Sequence, residues 1–85
     1  MGQMTKMEAY QALVAANPRA LSACAMYADA WHEYCQAQAN IDEHGTIVYH
    51  PRTGAPIENP YIAVRDRAGR TMRSLELRDA ALWGR

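Results

Sequence analysis

Five arginines in the second half of the sequence carry the side chains best suited to binding phosphate. A guanidinium group stays charged at all relevant pH values, and its planar fork can hold two phosphate oxygens at once. Contacts of this kind supply much of the affinity of proteins for DNA. The candidate DNA-binding residues are therefore Arg52, Arg65, Arg67, Arg70 and Arg73.

The charge distribution leaves a second interpretation of these arginines open. Residues 1–51 carry two basic and five acidic side chains, and residues 52–85 carry seven arginines and four acidic side chains, so the halves have net charges of −3 and +3. The formal net charge of zero argues against a protein that coats nucleic acid through bulk positive charge. The arginines could instead form a solvated helix face that pairs with the acidic half of a neighbouring copy.

Two cysteines and a histidine raise the question of a metal site. His32 and Cys35 are three residues apart and could share a metal ion with Cys24. Zinc sites usually contain pairs of closely spaced ligands, which are missing here, so we expect no metal. Cys24 and Cys35 would be about 16 Å apart along one helix, too far for a disulfide. Small core residues in a reducing compartment are the simpler interpretation.

Nuclease and ATPase chemistry can also be considered from the residue types. His44 and His50, with Asp42 or Glu43, could form a nuclease site, but a helix end beside a turn accounts for them more simply. The five glycines are scattered and form no GxxxxGK[ST] phosphate loop. We therefore expect no catalytic residue and no cofactor, and a protein that is not an enzyme.

The elements that would position these side chains are mostly helical. Residues 5–16 favour a helix by composition. Asn17-Pro18 resembles a helix N-cap followed by proline at the first helical position, which predicts a second helix from residue 18. Nothing interrupts this helix before Gly45, whose freedom at positive φ suits a helix end. The second helix would then span about 40 Å.

The second helix carries two apolar stripes at about 100° per residue. A helix that is apolar on two sides needs two partners, and the first helix is too short to cover a whole stripe, so we expect part of it to contact another subunit. One stripe consists of Leu21, Cys24, Ala28, Trp31, Cys35 and Ala39. The other consists of Met26, Ala30, Tyr34, Ala37 and Ile41.

A short β segment and a third helix follow. Residues 46–49 are a β-branched and aromatic run, and residues 51–54 (PRTG) are typical of a turn. Asn59-Pro60 repeats the cap-then-proline pattern, so a third helix should begin at about Pro60. Arg67, Arg70 and Arg73 would form its exposed basic face. Its core stripe would be Tyr61, Val64, Ala68, Met72 and Leu75.

The predicted fold is mainly α: an antiparallel helical hairpin with a short β-hairpin or extended loop at its tip, preceded by a short N-terminal helix. We expect residues 1–17 to be the N-terminal helix and linker, and residues 83–85 to be a tail. Residues 18–82 would form a hairpin oligomerisation core with its β tip at 46–58. There is no apolar run near 20 residues, so we expect a cytosolic protein without a membrane span.

Self-association is expected because a chain of 85 residues buries only about 60% of its unfolded surface. Tyr27, Trp31 and Tyr34 could stack on single-stranded bases, but their helical spacing favours core or interface packing. Leu82 and Trp83 lie beyond Asp79, which cannot readily enter a core, so we expect them to pack on a neighbour or to be disordered. The candidate interface residues are Met26, Ala30, Tyr34, Ala37, Ile41, Leu82 and Trp83.

From residue 27 to residue 75 the sequence resembles the phage terminase small subunits. The resemblance runs through an aromatic-rich helix (YADAWHEYCQAQANIDEHG), a β segment (TIVYHP), a turn (RTGAPIE) and a second helix (NPYIAVRDRAGRTMRSL). No single element is diagnostic, but the ordered set is specific. The matching positions are Trp31, Tyr34, Ile41, Gly45, Pro51, Thr53, Gly54, Asn59, Pro60, Tyr61, Val64, Arg67, Ala68 and Met72.

The resemblance implies a homo-oligomer, ring-like in form, that binds double-stranded viral DNA and regulates the large terminase subunit in the host cytoplasm. The ATPase and nuclease activities would belong to that large subunit. A second hypothesis is a structural phage or prophage interaction module, in which the hairpin assembles and its charges pair between subunits without binding DNA.

Overall fold

The structure is a computed structural model that describes residues 4–78. It contains three helices and one β-hairpin, which confirms the predicted mainly α fold with a β tip and a short N-terminal helix. In chain order the elements are α1 (Lys6–Ala16), α2 (Leu21–His44), β1 (Ile47–Tyr49), β2 (Pro56–Glu58) and α3 (Tyr61–Ser74).

Helix α1 begins with a capping box. The Thr5 hydroxyl accepts a hydrogen bond from the Glu8 amide at 3.1 Å, and the Glu8 carboxylate accepts one from the Thr5 amide at 3.0 Å. These reciprocal bonds satisfy two amide groups that a helix N-terminus otherwise leaves unpaired. The hydrogen bond that the Thr5 amide donates to the Glu8 carboxylate, followed by the interaction with the Thr5 side chain, lowers the pKa of Glu8 from its ordinary value, because both favour the charged form. Ala9 and Leu13 are the residues of α1 that enter the core.

The Asn17-Pro18 pair does not start α2, and the prediction of a helix from residue 18 was wrong. The Asn17 side chain donates to the Leu13 carbonyl at 3.0 Å and exchanges two hydrogen bonds with the backbone of Arg78. Because these bonds occupy the side chain, it cannot cap the next helix. Asn17 instead ends α1, and the intervening turn delays α2 until Leu21.

Helix α2 has 24 residues and therefore spans about 36 Å. It ends as predicted before Gly45, whose φ of 84° favours glycine. Both apolar stripes enter the core in part. Leu21 is 52% exposed because it is the first residue of α2. Ala39 is exposed because it lies beyond the reach of the short helix α1. The buried residues of α2 are Cys24, Tyr27, Ala28, Ala30, Trp31, Ala37 and Ile41.

The two strands pair antiparallel, with Val48 opposite Ile57 at the centre. The turn between them is closed by His50, whose Nδ1 accepts hydrogen bonds from the amides of Arg52 at 3.1 Å and Thr53 at 3.4 Å. The Gly54 backbone has a φ of 71°, which glycine adopts at little cost. The predicted turn over residues 51–54 is therefore confirmed.

Asn59 joins the end of α2, the β-hairpin and the start of α3. Its residue surface is 1% exposed. The side-chain amide donates to Asn40 Oδ1 at 3.0 Å and to the Gly45 carbonyl at 2.9 Å, and its oxygen accepts from the Tyr61 amide at 3.0 Å. The predicted third helix thus begins one residue later than expected, at Tyr61.

Helix α3 packs antiparallel against α2, and its buried residues are Ala68, Gly69 and Met72. Val64 and Leu75 are half-buried, as their place in the predicted stripe suggests. Tyr61 is 43% exposed, contrary to that stripe, because the facing surface of α2 offers mainly polar side chains near its ring. Within residues 4–78, no helix is long and apolar enough to cross a membrane.

Candidate nucleic-acid interface

The arginines of α3 fall into two groups according to their position around the helix. The buried stripe fixes how α3 faces α2, and Arg65 and Arg67 flank that stripe on opposite sides. Arg65 Nη1 donates to Gln38 Oε1 on α2 at 3.3 Å, and Arg67 Nη2 donates to Glu33 Oε1 at 3.3 Å. These two guanidinium groups therefore link α3 to α2 along both edges of the helical hairpin.

Arg70 and Arg73 are exposed and lie on the side of α3 that borders Tyr34 of α2. Among residues 4–78, neither guanidinium has a carboxylate within 4.0 Å. Both residues line an open cleft between α2 and α3, together with Arg65, Asp66, Gly69 and Tyr34. We call this the arginine cleft. Its three arginines and one aspartate give it a net charge of +2.

Gly69 provides the space for this cleft. A Cβ atom at this position would lie 3.3 Å from Arg73 Nη1 and 3.7 Å from Tyr34 Cε2. A larger side chain would therefore have to displace the guanidinium or the ring. Sequence reasoning did not identify Gly69, although a glycine inside a helix costs about 1 kcal/mol relative to alanine and so indicates a packing constraint.

Arg52 is separate from the cleft. It is exposed in the turn at the far end of the β-hairpin, and its amide is held by His50. The strands and the first turns of α3 lie between it and Arg70. The five predicted DNA contacts thus fall into three groups. Arg70 and Arg73 lie in the cleft without an ion pair to any residue from 4 to 78, Arg65 and Arg67 hold α3 to α2, and Arg52 lies at the tip of the β-hairpin.

The predicted interface residues also divide. Ala30, Ala37 and Ile41 are buried within the chain, on the side of α2 that α3 covers, so they do not form an exposed face. Tyr34 is half-buried beside Gly69, and Met26 is 53% exposed. Leu82 and Trp83 lie outside the described residues, as does Asp79.

The cysteines and aromatic residues considered for metal binding and base stacking lie in the core or pack against it. Over residues 4–78, no three His, Cys, Asp or Glu side chains are grouped so that they could hold a metal ion. Cys24 is buried and lies 3.7 Å from the Asn17 carbonyl oxygen, and its burial raises the pKa of the thiol. Tyr27 and Trp31 are 4% and 5% exposed and belong to the core, so they do not present faces for base stacking.

The fold and the cleft together define a small helical protein that presents exposed arginines on a two-helix hairpin. A family model described as "Phage terminase, small subunit" matches residues 4–78. The chain therefore belongs to the phage terminase small subunit family, as its sequence resemblance predicts. Comparison with the curated proteins and with the solved structures found no match.

Proposed function

We propose that this chain is the DNA-recognition and regulatory subunit of a phage packaging machine, and that Arg70 and Arg73 contact the phosphates of duplex viral DNA. Membership of the terminase small subunit family supports a role in DNA packaging. The observation that carries the DNA contact is the arginine cleft, where two exposed guanidinium groups lack a carboxylate partner within the described part of the chain.

Within residues 4–78 Arg70 and Arg73 have no ion-pair partner, and this favours them over the other candidates. A phosphate can bind them without breaking an existing ion pair, whereas Arg67 would have to leave Glu33 and Arg65 would have to leave Gln38 and Asp66. Two phosphate contacts on one subunit give weak binding. Several copies in one homo-oligomer would add their contacts on a single DNA, so affinity would rise by avidity.

The large terminase subunit is the second proposed partner. In this proposal it carries the ATPase and nuclease activities, and the small subunit regulates it in the host cytoplasm without catalysing a reaction itself. The family assignment supports a regulatory role of this kind.

Salt-dependent binding to duplex DNA tests the proposal. Replacing Arg70 and Arg73 together with alanine should reduce the magnitude of the slope of log affinity against log salt by about 2 for each subunit that contacts the DNA, because each lost phosphate contact removes about 0.9. The matched control is Lys6→Ala with Arg67→Ala. It removes two positive charges that are already paired, with Asp29 and Glu33. An unchanged slope in the R70A/R73A protein would contradict the proposed contacts.

A structural interaction module without DNA binding is the second candidate. The observation that favours it is the position of Arg73 in the last turn of α3, where the helix dipole stabilises a positive charge without any ligand. This candidate predicts that the wild-type protein fails to bind duplex DNA even at low salt, while its assembly state stays sensitive to charge reversal.

A further inference from the structure

Gly69 interrupts a row of long side chains along α3. Arg65, Gly69 and Arg73 follow each other at intervals of four residues, which places them in line on one side of the helix. All three line the arginine cleft. The glycine therefore leaves a gap between two side chains that carry guanidinium groups, and we call this gap the Gly69 notch.

The backbone conformation at residue 69 does not require a glycine. Gly69 lies within α3 and, unlike Gly45 and Gly54, does not have a positive φ angle. Glycine is less favourable than alanine inside a helix, because it loses more backbone freedom on folding. The local structure of α3 therefore gives no reason for the absence of a side chain here.

Packing within the chain constrains residue 69 only weakly. A Cβ atom there would lie 3.7 Å and 3.9 Å from two ring carbons of Tyr34, which are ordinary van der Waals distances. It would lie 3.3 Å from Arg73 Nη1, but that atom is the end of a flexible side chain and can move by a few tenths of an ångström. Alanine would thus fit the fold, and its methyl group would occupy the notch.

The two sides of the notch suit an anion. Arg65 is the fixed side, because its Nη1 donates to Gln38 Oε1 at 3.3 Å and its Nε donates to Asp66 Oδ1 at 3.2 Å. Arg73 is the adaptable side, since it is exposed and has no carboxylate within 4.0 Å among residues 4–78. A phosphate between them would meet one ordered and one movable guanidinium group, and both form strong hydrogen bonds to phosphate oxygens.

We propose that a phosphate of the DNA backbone is seated in the Gly69 notch, between Arg65 and Arg73. The ring of Tyr34 borders the notch on the side of α2, so the phosphate enters from solvent. Arg70 lies beside the row and is available for a neighbouring phosphate. The cleft is then fitted to the shape of its ligand. This inference rests on the proposed DNA contact and adds that residue 69 must lack a side chain.

Gly69→Ala tests the inference because it keeps every charge and changes only the space in the notch. The affinity for duplex DNA, measured by surface plasmon resonance, should fall roughly tenfold, since losing a hydrogen bond to a charged group costs about that factor. The loss should appear as faster dissociation, whereas association, which depends on long-range charge, should keep its rate. The urea midpoint should rise, because alanine favours the helix.

Two further variants separate the notch from general effects. Ser74→Ala also favours the helix, but residue 74 is exposed on the other side of α3, so DNA binding should stay at the wild-type level. Gly69→Leu fills more of the notch than alanine does and should bind DNA more weakly still. Circular dichroism must show the same helix content for every variant.

A folded Gly69→Ala protein with the affinity and dissociation rate of the wild type would overturn the notch. If R70A/R73A weakens binding in that same assay, the proposed arginine contacts stand without it. If neither protein differs from the wild type, the notch and the proposed DNA contact fail together. Equal losses in Gly69→Ala and Ser74→Ala would also overturn the notch, because helix stability rather than space would then control binding.

Discussion

The chain contains the dipeptide Asn-Pro twice, and the two copies have different structural roles. Asn59-Pro60 precedes α3, and the buried Asn59 side chain accepts a hydrogen bond from the Tyr61 amide at 3.0 Å. Asn17-Pro18 follows α1, and its asparagine binds backwards to Leu13 and across to Arg78. The same two residue types therefore start one helix and end another.

The difference shows that a capping motif gives only the local preference of the chain. Asparagine can accept a bond from a following amide or donate one to a preceding carbonyl, and both are locally available at residue 17. The returning backbone at Arg78 lies 61 residues away in sequence and fixes the Asn17 side chain. At Asn59 the long-range contacts, with Asn40 and Gly45, agree with the local cap, so the sequence pattern holds there.

The largest effect should follow from removing the buried member of this pair. Asn59→Ala leaves the Gly45 carbonyl, the Tyr61 amide and Asn40 Oδ1 without the hydrogen bonds that this buried side chain makes. We expect a loss of about 3 kcal/mol in the free energy of unfolding, measured by urea denaturation. Asn40→Ala, which removes only one of these contacts, should cost less. A loss below about 1 kcal/mol for Asn59→Ala would contradict the role of Asn59 in joining α2, the β-hairpin and α3.

Asn17→Ala should have a smaller effect, about 1–2 kcal/mol, because its bonds to Arg78 are exposed and water can replace them. The same change should release the backbone that follows α3. Amide hydrogen exchange at Arg78, whose N–H donates to Asn17 Oδ1 at 2.9 Å, should therefore become faster. Unchanged exchange at Arg78 would show that Asn17 does not hold this segment.

Thr5→Ala tests a helix start that has no asparagine or proline. It removes the hydroxyl that accepts a hydrogen bond from the Glu8 amide, and so breaks one half of the capping box. We expect about 1 kcal/mol of destabilisation by thermal or urea unfolding, the usual value for an N-cap. Thr5→Ser keeps the hydroxyl and is the matched control. If both variants lose equally, the Thr5 methyl group matters rather than the cap.

The smallest expected effect is a pH dependence of the stability, which should be present at the start of α1 and absent at the start of α3. The capping hydrogen bonds lower the pKa of Glu8 below its ordinary value of 4.5, so its contribution is present above pH 4.5 and is lost as the pH falls through the lowered pKa. Glu8→Gln keeps an acceptor but cannot titrate, so its stability should fall less between pH 6 and about pH 3. The groups that the Asn59 side chain binds are the Asn40 side chain, the Gly45 carbonyl and the Tyr61 amide, and none of them titrates.

The contribution of Asn59 should therefore be the same across this pH range, when Asn59→Ala is compared with the wild type by urea unfolding at each pH. Equal acid sensitivity of the wild type and Glu8→Gln would show that the Glu8 cap does not respond to acid. A change in the Asn59→Ala difference with pH would show that a titratable group couples to the Asn59 side chain.

Much of the fold could be predicted because it depends on local periodicity. Ala68 and Met72 are four residues apart, which places them on one face of any α-helix, and both are buried. Gly45 and Gly54 mark positive φ angles that other residues rarely adopt. Predictions at the ends of helices were less successful. Leu21 and Tyr61 continue an apolar pattern, yet both are exposed. Leu21 is the first residue of α2, and Tyr61 faces mainly polar side chains of α2.

The candidate site could be predicted only in part. The residue types and helical spacing indicate that Arg67, Arg70 and Arg73 lie outside the core stripe, and all three are exposed. Their division into paired and unpaired groups depends on which acidic or amide side chain of α2 lies opposite, and that depends on the rotation of α3 about its axis. Gly69 also acquires its importance only when Tyr34 and Arg73 approach it.

The sequence by itself determined the elements, the apolar faces that pair them and the presence of a basic second half, because these follow from backbone preferences and from the period of the helix. Only the tertiary structure decided the separate roles of Asn17 and Asn59, the partners of Arg65 and Arg67, and the existence of the arginine cleft. The physical reason is distance: a hydrogen bond or ion pair requires two atoms within a few ångströms, and residues far apart in the chain meet at that precision only after the helices pack.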